Sequence, residues 1–415
     1  MMDRHGAPAS ESAAPTVVPG PGRVETGLRR AILVVAIGLS CLLGYYTTPV
    51  LLVLMALALP FTFRAMPLDT AGRMFGAGFM LLALSALFTT RSMADFLPFV
   101  GFGGLILYTP LARLFARAAT TRNIIKVADF GLFGAASALL VALYYAYVEG
   151  QPRAALGAVL TDPIRLADTA LILGFIAMMG AAAQTERHRY IYGLGPILAL
   201  AVIFLSGSRA ALIAFPVLVG IAALMLVRRK WLALGMGVFV LFGFAVVFAL
   251  ADLIGMRSST LTNMVQRIVA GAYVGDLATT IRLVLYRAAI PAFNDAPLFG
   301  HGWGHVMSAI VPYLASYELS HAQLPHLHND ALQFAVAAGL PGLIAYPILL
   351  ATPLVATLRS ARDGQYRTRL YGAVLLTISS LVLGLPDTML SFSLHITLYV
   401  VLTAMLLNYC RDRAV

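Results

Sequence analysis

Charged side chains are scarce in this sequence, at 11% of its 415 residues. An average soluble domain carries about 25%. Hydrophobic residues make up 60% of the chain, and the mean hydropathy is +0.86. The composition therefore excludes an ordinary soluble domain and predicts an integral membrane protein.

Cysteines are also rare: Cys41 lies in the first apolar run and Cys410 near the last residue. Neither lies in a polar segment, so no disulfide framework is expected. The N-terminal segment, residues 1–27, lacks the apolar stretch of a cleavable signal peptide. We expect it to be a disordered cytoplasmic tail, followed by an uncleaved membrane anchor.

Metal-binding patterns are missing as well. There is no HExxH motif, and the carboxylates of the longest polar segment are scattered rather than clustered. Four histidines (His301, His305, His326 and His328) could supply imidazoles, but the first two lie in a glycine-rich turn. We expect neither a bound metal nor a cofactor.

Long apolar runs fill most of the chain. The sequence predicts an all-α, polytopic membrane protein with about 12 transmembrane helices and one large, partly helical periplasmic loop. The predicted organisation is transmembrane helices 1–9 over 28–254, the loop over 255–330, helices 10–12 over 331–409, and a cytoplasmic tail over 410–415. The predicted runs are 28–46, 48–66, 72–90, 95–115, 125–148, 164–184, 190–206, 209–227, 231–254, 331–357, 368–385 and 388–409.

The basic residues indicate the orientation. If the N-terminus is cytoplasmic and the helices alternate, 21 of the 29 Lys and Arg residues fall on the cytoplasmic side. Short cytoplasmic loops are enriched in these residues, so both termini are predicted to be cytoplasmic. The positive charge is thus explained by topology and membrane lipid, and nucleic-acid binding is not expected.

The polar segment 255–330 holds five of the eight histidines. Residues 279–293 have the pattern of an amphipathic helix that stops near Asn294 and Pro297. Residues 299–305 form a glycine-rich turn containing Gly300 and Gly302. The segment is therefore expected to be ordered in part and to face the periplasm.

His328 is the first candidate for chemistry. It follows His326 and precedes Asn329, directly before the tenth apolar run. An imidazole that titrates near neutral pH can accept a proton from a hydroxyl nucleophile. The same residues could instead cap the following helix, since Asn favours that position. The motif alone does not separate the two interpretations.

Arginines on the outer side form the second set of candidates. Arg209 begins the eighth run, where a guanidinium must face a cavity or an anion, or snorkel to the surface. Arg282 and Arg287 lie about 140° apart on a helix, so they cannot comfortably hold one phosphate together. Arg282 shares its face with Tyr286, four residues later.

Three motifs, in this order, resemble those of the O-antigen ligase and polymerase superfamily, over about residues 190–350. They are Ser206-Gly207-Ser208-Arg209, then Arg282-x-x-Leu285-Tyr286 leading to Pro297-Leu298-Phe299-Gly300-His301-Gly302, and finally His326-Leu327-His328-Asn329 followed by Gly339-x-Pro341-Gly342.

The resemblance implies a metal-independent, inverting glycosyltransferase of GT-C-like architecture in the inner membrane of a Gram-negative bacterium. A ligase takes a glycan from undecaprenyl diphosphate at the periplasmic face and transfers it to lipid A–core oligosaccharide. The family's catalytic histidine maps to His328, and its diphosphate-binding arginines to Arg209 and Arg282. Supporting positions are expected among His326, Asn329, Tyr286, Gly300 and Gly302.

Other functions compete with ligation. An O-antigen polymerase or a protein O-oligosaccharyltransferase would use the same donor. A single large outer loop favours the ligase. A lipid-linked glycan flippase would need charged or broken helices near the bilayer midplane. Asp168, near one end of the sixth run, is the most plausible carboxylate of that kind.

Overall fold

The computed structural model describes residues 22–62, 68–184, 187–227, 235, 277–315 and 324–412, and the regular secondary structure in these ranges is all helical. Most of the predicted N-terminal tail, the ninth apolar run apart from residue 235, and residues 255–276 of the predicted loop lie outside this part. The helices are α1 (Arg23–Leu33), α2 (Ser40–Leu43), α3 (Thr47–Ala56), α4 (Thr70–Thr89), α5 (Met93–Val100), α6 (Gly103–Ala116), α7 (Asn123–Leu143), α8 (Pro163–Ala183), α9 (Leu194–Ser206), α10 (Arg209–Leu226), α11 (Leu277–Asp295), α12 (Val306–Ile310), α13 (Asp330–Leu358), α14 (Tyr366–Gly384) and α15 (Ser393–Ala404).

Seven of the described helical segments are long and apolar enough to cross a bilayer, or eight if one bent pair counts as a single span. This supports a membrane protein, but the described residues do not provide the twelve spans that the sequence predicted. The eleventh run forms α14, which carries Arg367 and Arg369, and the twelfth forms the shorter apolar helix Ser393–Tyr409. The remaining seven spans match predicted runs.

The first two apolar runs form the bent pair. Its two segments, Arg23–Gly38 and Ser40–Ala56, meet at an angle of 68°. Just beyond the bend, Gly44 has a φ of +51°, and the Tyr45 amide donates to the Leu160 carbonyl at 2.7 Å. The tip of this pair is therefore fixed against the loop that joins α7 to α8.

Helix α8 is the centre of the bundle and packs against α7, α9, α10 and α14. A Cβ atom placed on Gly174 would lie 2.5 Å from the Gly195 carbonyl oxygen of α9. The two backbones therefore touch, and close approach through small residues is how membrane helices pack well. Along α7 and α8, Gly131 faces Ala177 while Gly134 faces Leu173, so these helices are antiparallel.

Antiparallel packing brings alternate helix ends together. One end of the bundle, the site end, contains the starts of α8, α10 and α13. Polar residues begin these helices: Asp162 and Asn329 accept hydrogen bonds from the first-turn amides of α8 and α13, and Ser208 from that of α10. At the opposite end, called the basic end because it includes Arg122 and Lys126 at the start of α7, Glu25 forms an ion pair with Arg117.

Helix α13 has a sharp kink. Gly339, the tenth residue of this helix, has a φ of +62°, and the helical backbone is interrupted there. The Leu340 amide donates to the Pro297 carbonyl at 2.8 Å, and the His301 amide donates to Val336 at 2.9 Å. The kink thus receives the glycine-rich turn that follows α11, and α11 itself covers the helix predicted over 279–293.

Candidate active site

The site is centred on Asp387, in the turn between α14 and α15. Its side chain is 1% exposed. A single carboxylate oxygen, Oδ1, accepts hydrogen bonds from three side chains and one backbone amide. The donors are Arg165 Nη2 (3.2 Å), His326 Nε2 (3.1 Å), His328 Nδ1 (3.2 Å) and Thr388 N (2.7 Å).

The carboxylate is ionised at neutral pH. Burial by itself raises the pKa of Asp387, but the Arg165 guanidinium and the hydrogen bonds from His326 and His328 hold it well below its usual range. Burial lowers the pKa of His326 in spite of its bond to Asp387, so His326 is neutral at pH 7. Arg165 supplies a positive charge directly beside this buried carboxylate.

An ionised carboxylate can only accept, which fixes the protons on both rings. His328 carries its proton on Nδ1, which leaves the Nε2 lone pair at the opposite side of the ring. His326 carries its proton on Nε2, and the ring centroids of the two histidines are 4.3 Å apart. His328 therefore has the arrangement of a general base oriented by a carboxylate.

The turn that carries Asp387 is held by a second buried carboxylate. Asp330, the first residue of α13, accepts hydrogen bonds from the amides of Met389, Leu390 and Ser391 at 2.8 to 3.0 Å. Ser391 Oγ adds a fourth at 2.7 Å. Because α13 also follows the histidine pair directly, one helix start positions both sides of the Asp387–His328 contact.

The backbone of His328 is in the left-handed region, with a φ of +53°. The single hydroxyl proton of Tyr286 on α11 is within hydrogen-bond distance of two carbonyl oxygens, that of His328 at 2.6 Å and that of Leu385 at 3.0 Å. Asn329 caps α13 through the Leu332 amide and donates to the same Leu385 carbonyl at 2.9 Å. Capping is thus performed by Asn329, while His328 points to Asp387.

Arg282 reaches the same turn from α11. Its Nε donates to the Pro386 carbonyl at 2.7 Å, one residue before Asp387. Tyr286, one helical turn further on, contacts the turn as well, so the predicted shared face of these two residues points to the site. Arg287 is exposed. As expected from their angular separation on the helix, Arg282 contacts the turn that carries Asp387, while Arg287 does not lie on that face.

Arg209 is the exposed first residue of α10. Close by, Arg153 Nε donates to the Ser206 carbonyl at 2.8 Å. Partial burial lowers the pKa of Arg153, and the positive charges of Arg209 and Arg282 lower it further. The three guanidiniums therefore act on one region, which favours a multiply charged anion.

Sequence reasoning missed Asp387 and gave no role to Arg153 or Arg165. Asp387 lies in Leu385-Pro386-Asp387-Thr388, a single acidic residue between the last two apolar runs. A lone carboxylate at the outer end of a membrane run was the available signal.

His326, His328 and Asp387 also form the one group of potential metal ligands found among the described residues, with ligand atoms within 4.8 Å of one another. The donor set does not fit a divalent cation. Arg165 Nη2 lies 3.2 Å from Asp387 Oδ1 and 3.4 Å from His326 Nε2, so a cation there would sit beside a guanidinium. The other two candidate histidines are bound elsewhere: His301 Nε2 to Ala292 O at 2.7 Å and His305 Nε2 to Asp95 at 2.8 Å.

Gly300 and Gly302 lie in the turn that fills the α13 kink, rather than beside Asp387. Their φ values are +73° and +91°. A Cβ atom on Gly300 would lie 2.5 Å from the Ala337 backbone, so glycine is needed for both conformation and contact. Their role is to join the turn to α13.

Helices long and apolar enough to cross a bilayer, an imidazole bound to a carboxylate and arginines at the same end of the bundle together describe a membrane protein with a candidate anion-binding site. Residues 194–346 match the family model described as O-Antigen ligase. The resemblance to the O-antigen ligase superfamily predicted from the motifs is therefore confirmed over this segment, which includes Arg209, Arg282 and His328. Comparison with curated proteins finds no match.

Proposed function

We propose that the protein is an O-antigen ligase. It transfers a glycan from undecaprenyl diphosphate to a sugar hydroxyl of lipid A–core oligosaccharide at the periplasmic face of the inner membrane. The observation that carries this proposal is the hydrogen bond from His328 Nδ1 to the buried Asp387 carboxylate, at 3.2 Å. It supplies an oriented base within a segment that matches the ligase family.

In the proposed reaction, His328 Nε2 removes the proton from the acceptor hydroxyl. The hydroxyl oxygen attacks the anomeric carbon opposite the diphosphate, and a new carbon–oxygen bond forms as the bond to diphosphate breaks. The electron pair leaves with undecaprenyl diphosphate, and the sugar configuration inverts. Asp387 stabilises the imidazolium, which then releases its proton to water.

The leaving diphosphate gains negative charge as the bond breaks. Arg209 and Arg282 stabilise this charge, and Arg153 adds a third cation that its bonds to the helix end keep in place. Cationic side chains aimed at a developing charge lower the barrier more than they stabilise the ground state. No step requires a metal, so treatment with a chelator should leave the transfer rate unchanged.

The test is reconstitution of the full chain in liposomes with purified lipid-linked donor and lipid A–core. We expect His328→Ala to lower the transfer rate by about 10³-fold or more while donor binding is retained. The matched control is His188→Ala, at an exposed histidine of the basic end. Transfer by His328→Ala at the normal rate would contradict the assignment of the base.

The same assay separates the competing functions. Product on lipid A–core supports the ligase. Product on a second lipid-linked glycan instead indicates a polymerase, and product on a protein indicates a protein O-oligosaccharyltransferase. Glycan that crosses the bilayer without transfer indicates a flippase.

A further inference from the structure

Asp168 is a buried carboxyl group inside the candidate membrane span that α8 forms. Its exposed fraction is 0%, and neither of its oxygens has a hydrogen-bond partner among the described residues. An unpaired carboxyl group within a membrane span costs free energy, so it is a candidate for a functional role. The proposed transfer reaction gives Asp168 no part.

Helix α8 places Asp168 beside Arg165. Residues three positions apart lie on one face of an α-helix, so Asp168 lies one turn deeper than Arg165 on the same side. Arg165 reaches the turn between α14 and α15 through Asp387 Oδ1 at 3.2 Å and Thr388 Oγ1 at 2.8 Å. Asp387 and Arg165 are also the two charged groups that act most strongly on Asp168.

Asp387 has a second oxygen that the contacts of the site do not use. Arg165, both histidines and the Thr388 amide all donate to Oδ1. Oδ2 is buried and has no hydrogen-bond partner in the part of the chain that the structure describes. Leaving a buried acceptor without a donor costs free energy, and more so when the acceptor is charged. Asp387 Oδ2 therefore needs a donor from the interior of the bundle.

The balance of charge shows which group can donate. Arg165 already lies near two carboxylates, Asp387 at 3.2 Å and Asp162 at 3.8 Å. A third ionised carboxylate, at Asp168, would add a buried negative charge without a partner. A carboxyl group in such a place takes up a proton instead. The balance thus favours the neutral acid form of Asp168, and its O–H needs an acceptor.

The interior next to these groups has room for water. Thr169, which follows Asp168, has its Oγ1 3.4 Å from His395 Nε2. Both residues line a cavity of about 10 Å³, together with Met389 of the turn that carries Asp387. This is about the volume that one water molecule needs. His395 Nδ1 is a further buried atom without a hydrogen-bond partner among the described residues.

We propose that Asp168 is a positioning residue: its protonated carboxyl group donates, through one bound water, to Asp387 Oδ2. This bond occupies the second oxygen of Asp387 and keeps Oδ1 turned towards the histidines. His328 is thereby held with its proton on Nδ1 and its Nε2 directed away from Asp387. The kinetic consequences rest on the proposed transferase function, whereas the protonated state of Asp168 does not.

Infrared spectroscopy of the full chain in nanodiscs tests the protonated state without substrate. A neutral carboxylic acid has a C=O stretching band distinct from that of a carboxylate. At neutral pH, Asp168→Asn should lose one such acid band relative to the parent protein. The control is Glu149→Gln, at an exposed side chain, which should lose a carboxylate band. Loss of a carboxylate band in Asp168→Asn would overturn the inference.

Transfer in liposomes tests the positioning role. The Asp168→Asn side chain keeps a donor for Asp387, so kcat should stay within about threefold of the parent value. Asp168→Leu has no donor, and its kcat should fall about tenfold while donor affinity is unchanged. The control is Met179→Leu, a buried change at the opposite end of α8 that conserves volume. Thermal unfolding checks that each variant is folded.

A double-mutant cycle separates positioning from structural support. Because Asp168 acts through Asp387, adding Asp168→Leu to Asp387→Asn should cause little further loss of kcat. Additive losses, a parent-like kcat for Asp168→Leu, or an equally low kcat for Asp168→Asn would each overturn the inference. The infrared comparison needs only Asp168→Asn, so it decides the protonated state even where Asp168→Leu does not fold. A parent protein that transfers nothing to lipid A–core contradicts the proposed ligase function instead.

Discussion

Asp387 connects the residues of the site that lie furthest apart in the sequence. It joins Arg165 of α8 to a histidine pair about 60 positions before it, through one oxygen atom. The two bonds to imidazole determine which ring nitrogens are protonated, and the bond to Arg165 keeps the carboxylate charged in a buried place. Orientation of the base is thus a property of Asp387 rather than of the histidine motif.

Replacing Asp387 with Asn tests this directly. An amide can donate to the histidine nitrogens, so His328 is no longer held with its proton on Nδ1. We expect kcat to fall by about 10³-fold or more while the affinity for donor changes little. The buried Arg165 loses its nearest carboxylate partner, so thermal stability should also fall.

The kinetic measurement is therefore made on protein shown to be folded by size-exclusion chromatography and donor binding. Glu149→Gln, at an exposed carboxylate of the same end of the bundle, is the matched control. A kcat for Asp387→Asn equal to that of the control would show that Asp387 does not orient the base.

The lowered pKa values of His326 and Asp387 also predict how stability changes with pH. Above about pH 6.5, histidine is neutral in both the folded and the unfolded chain. Below it, the unfolded chain binds a proton that folded His326 resists, so the free energy of unfolding decreases as the pH falls. Asp387 acts in the same direction at lower pH, because its stabilising charge is lost as the pH falls below about 3.9 towards its folded pKa.

Thermal unfolding in detergent at about pH 7.5 and about pH 5.5 checks the histidine contribution, since this range includes its ordinary pKa. The parent protein should lose more stability over this range than His326→Gln, whose amide keeps a donor for Asp387 without titrating. An equal loss in the two proteins would contradict the contribution of His326.

At the scale of elements, the turn after α11 and the kink of α13 form one interlocked unit. Gly339 supplies the kink with a φ of +62°, and a Cβ atom there would lie 2.6 Å from the Pro297 carbonyl oxygen. The same unit joins α11, which carries Arg282 and Tyr286, to the helix that begins beside His328. Packing in this unit should therefore affect the site as well as the fold.

Gly339→Ala is expected to reduce stability by more than about 2 kcal/mol, because it adds both backbone strain and a steric clash. Gly76→Ala is the control: it lies in α4, and a Cβ atom there would have no neighbour within 4 Å. That substitution should be neutral or stabilise the protein by up to about 1 kcal/mol. Thermal unfolding of the two variants side by side makes the comparison, and equal melting temperatures would contradict the packing argument.

Some elements of the fold could be predicted from the sequence and others could not, for physical reasons. Apolar runs predict helices because a membrane span needs about 20 such residues, and α11 was recognised from its amphipathic pattern. The 68° bend between Gly38 and Ser40 was not predicted, because the contact of Tyr45 with Leu160 that holds the chain just beyond it is made only on folding. Asp387 was missed for the same reason, since its partners are distant in sequence.

For the whole molecule, charge distribution predicted a feature that the folded chain shows. Basic residues at the starts of successive helices fall at opposite ends of the helix bundle. Arg122 and Lys126 lie at the start of α7, whereas Arg153 and Arg165 lie near the start of α8. Among the basic residues that the structure describes, the larger group lies away from the site. With the rule that basic loops remain cytoplasmic, this distribution supports a site that faces the periplasm.

The two buried native cysteines allow the orientation to be measured. Cys41 and Cys410 are free but buried, so they should react little with a membrane-impermeant maleimide. Glu149→Cys places an exposed thiol at the site end, and Arg189→Cys places one at the basic end. In cells whose outer membrane is permeabilised, the first should be labelled and the second should react only after lysis. The reverse pattern would place His328 on the cytoplasmic side, where the proposed transfer to a periplasmic acceptor could not occur.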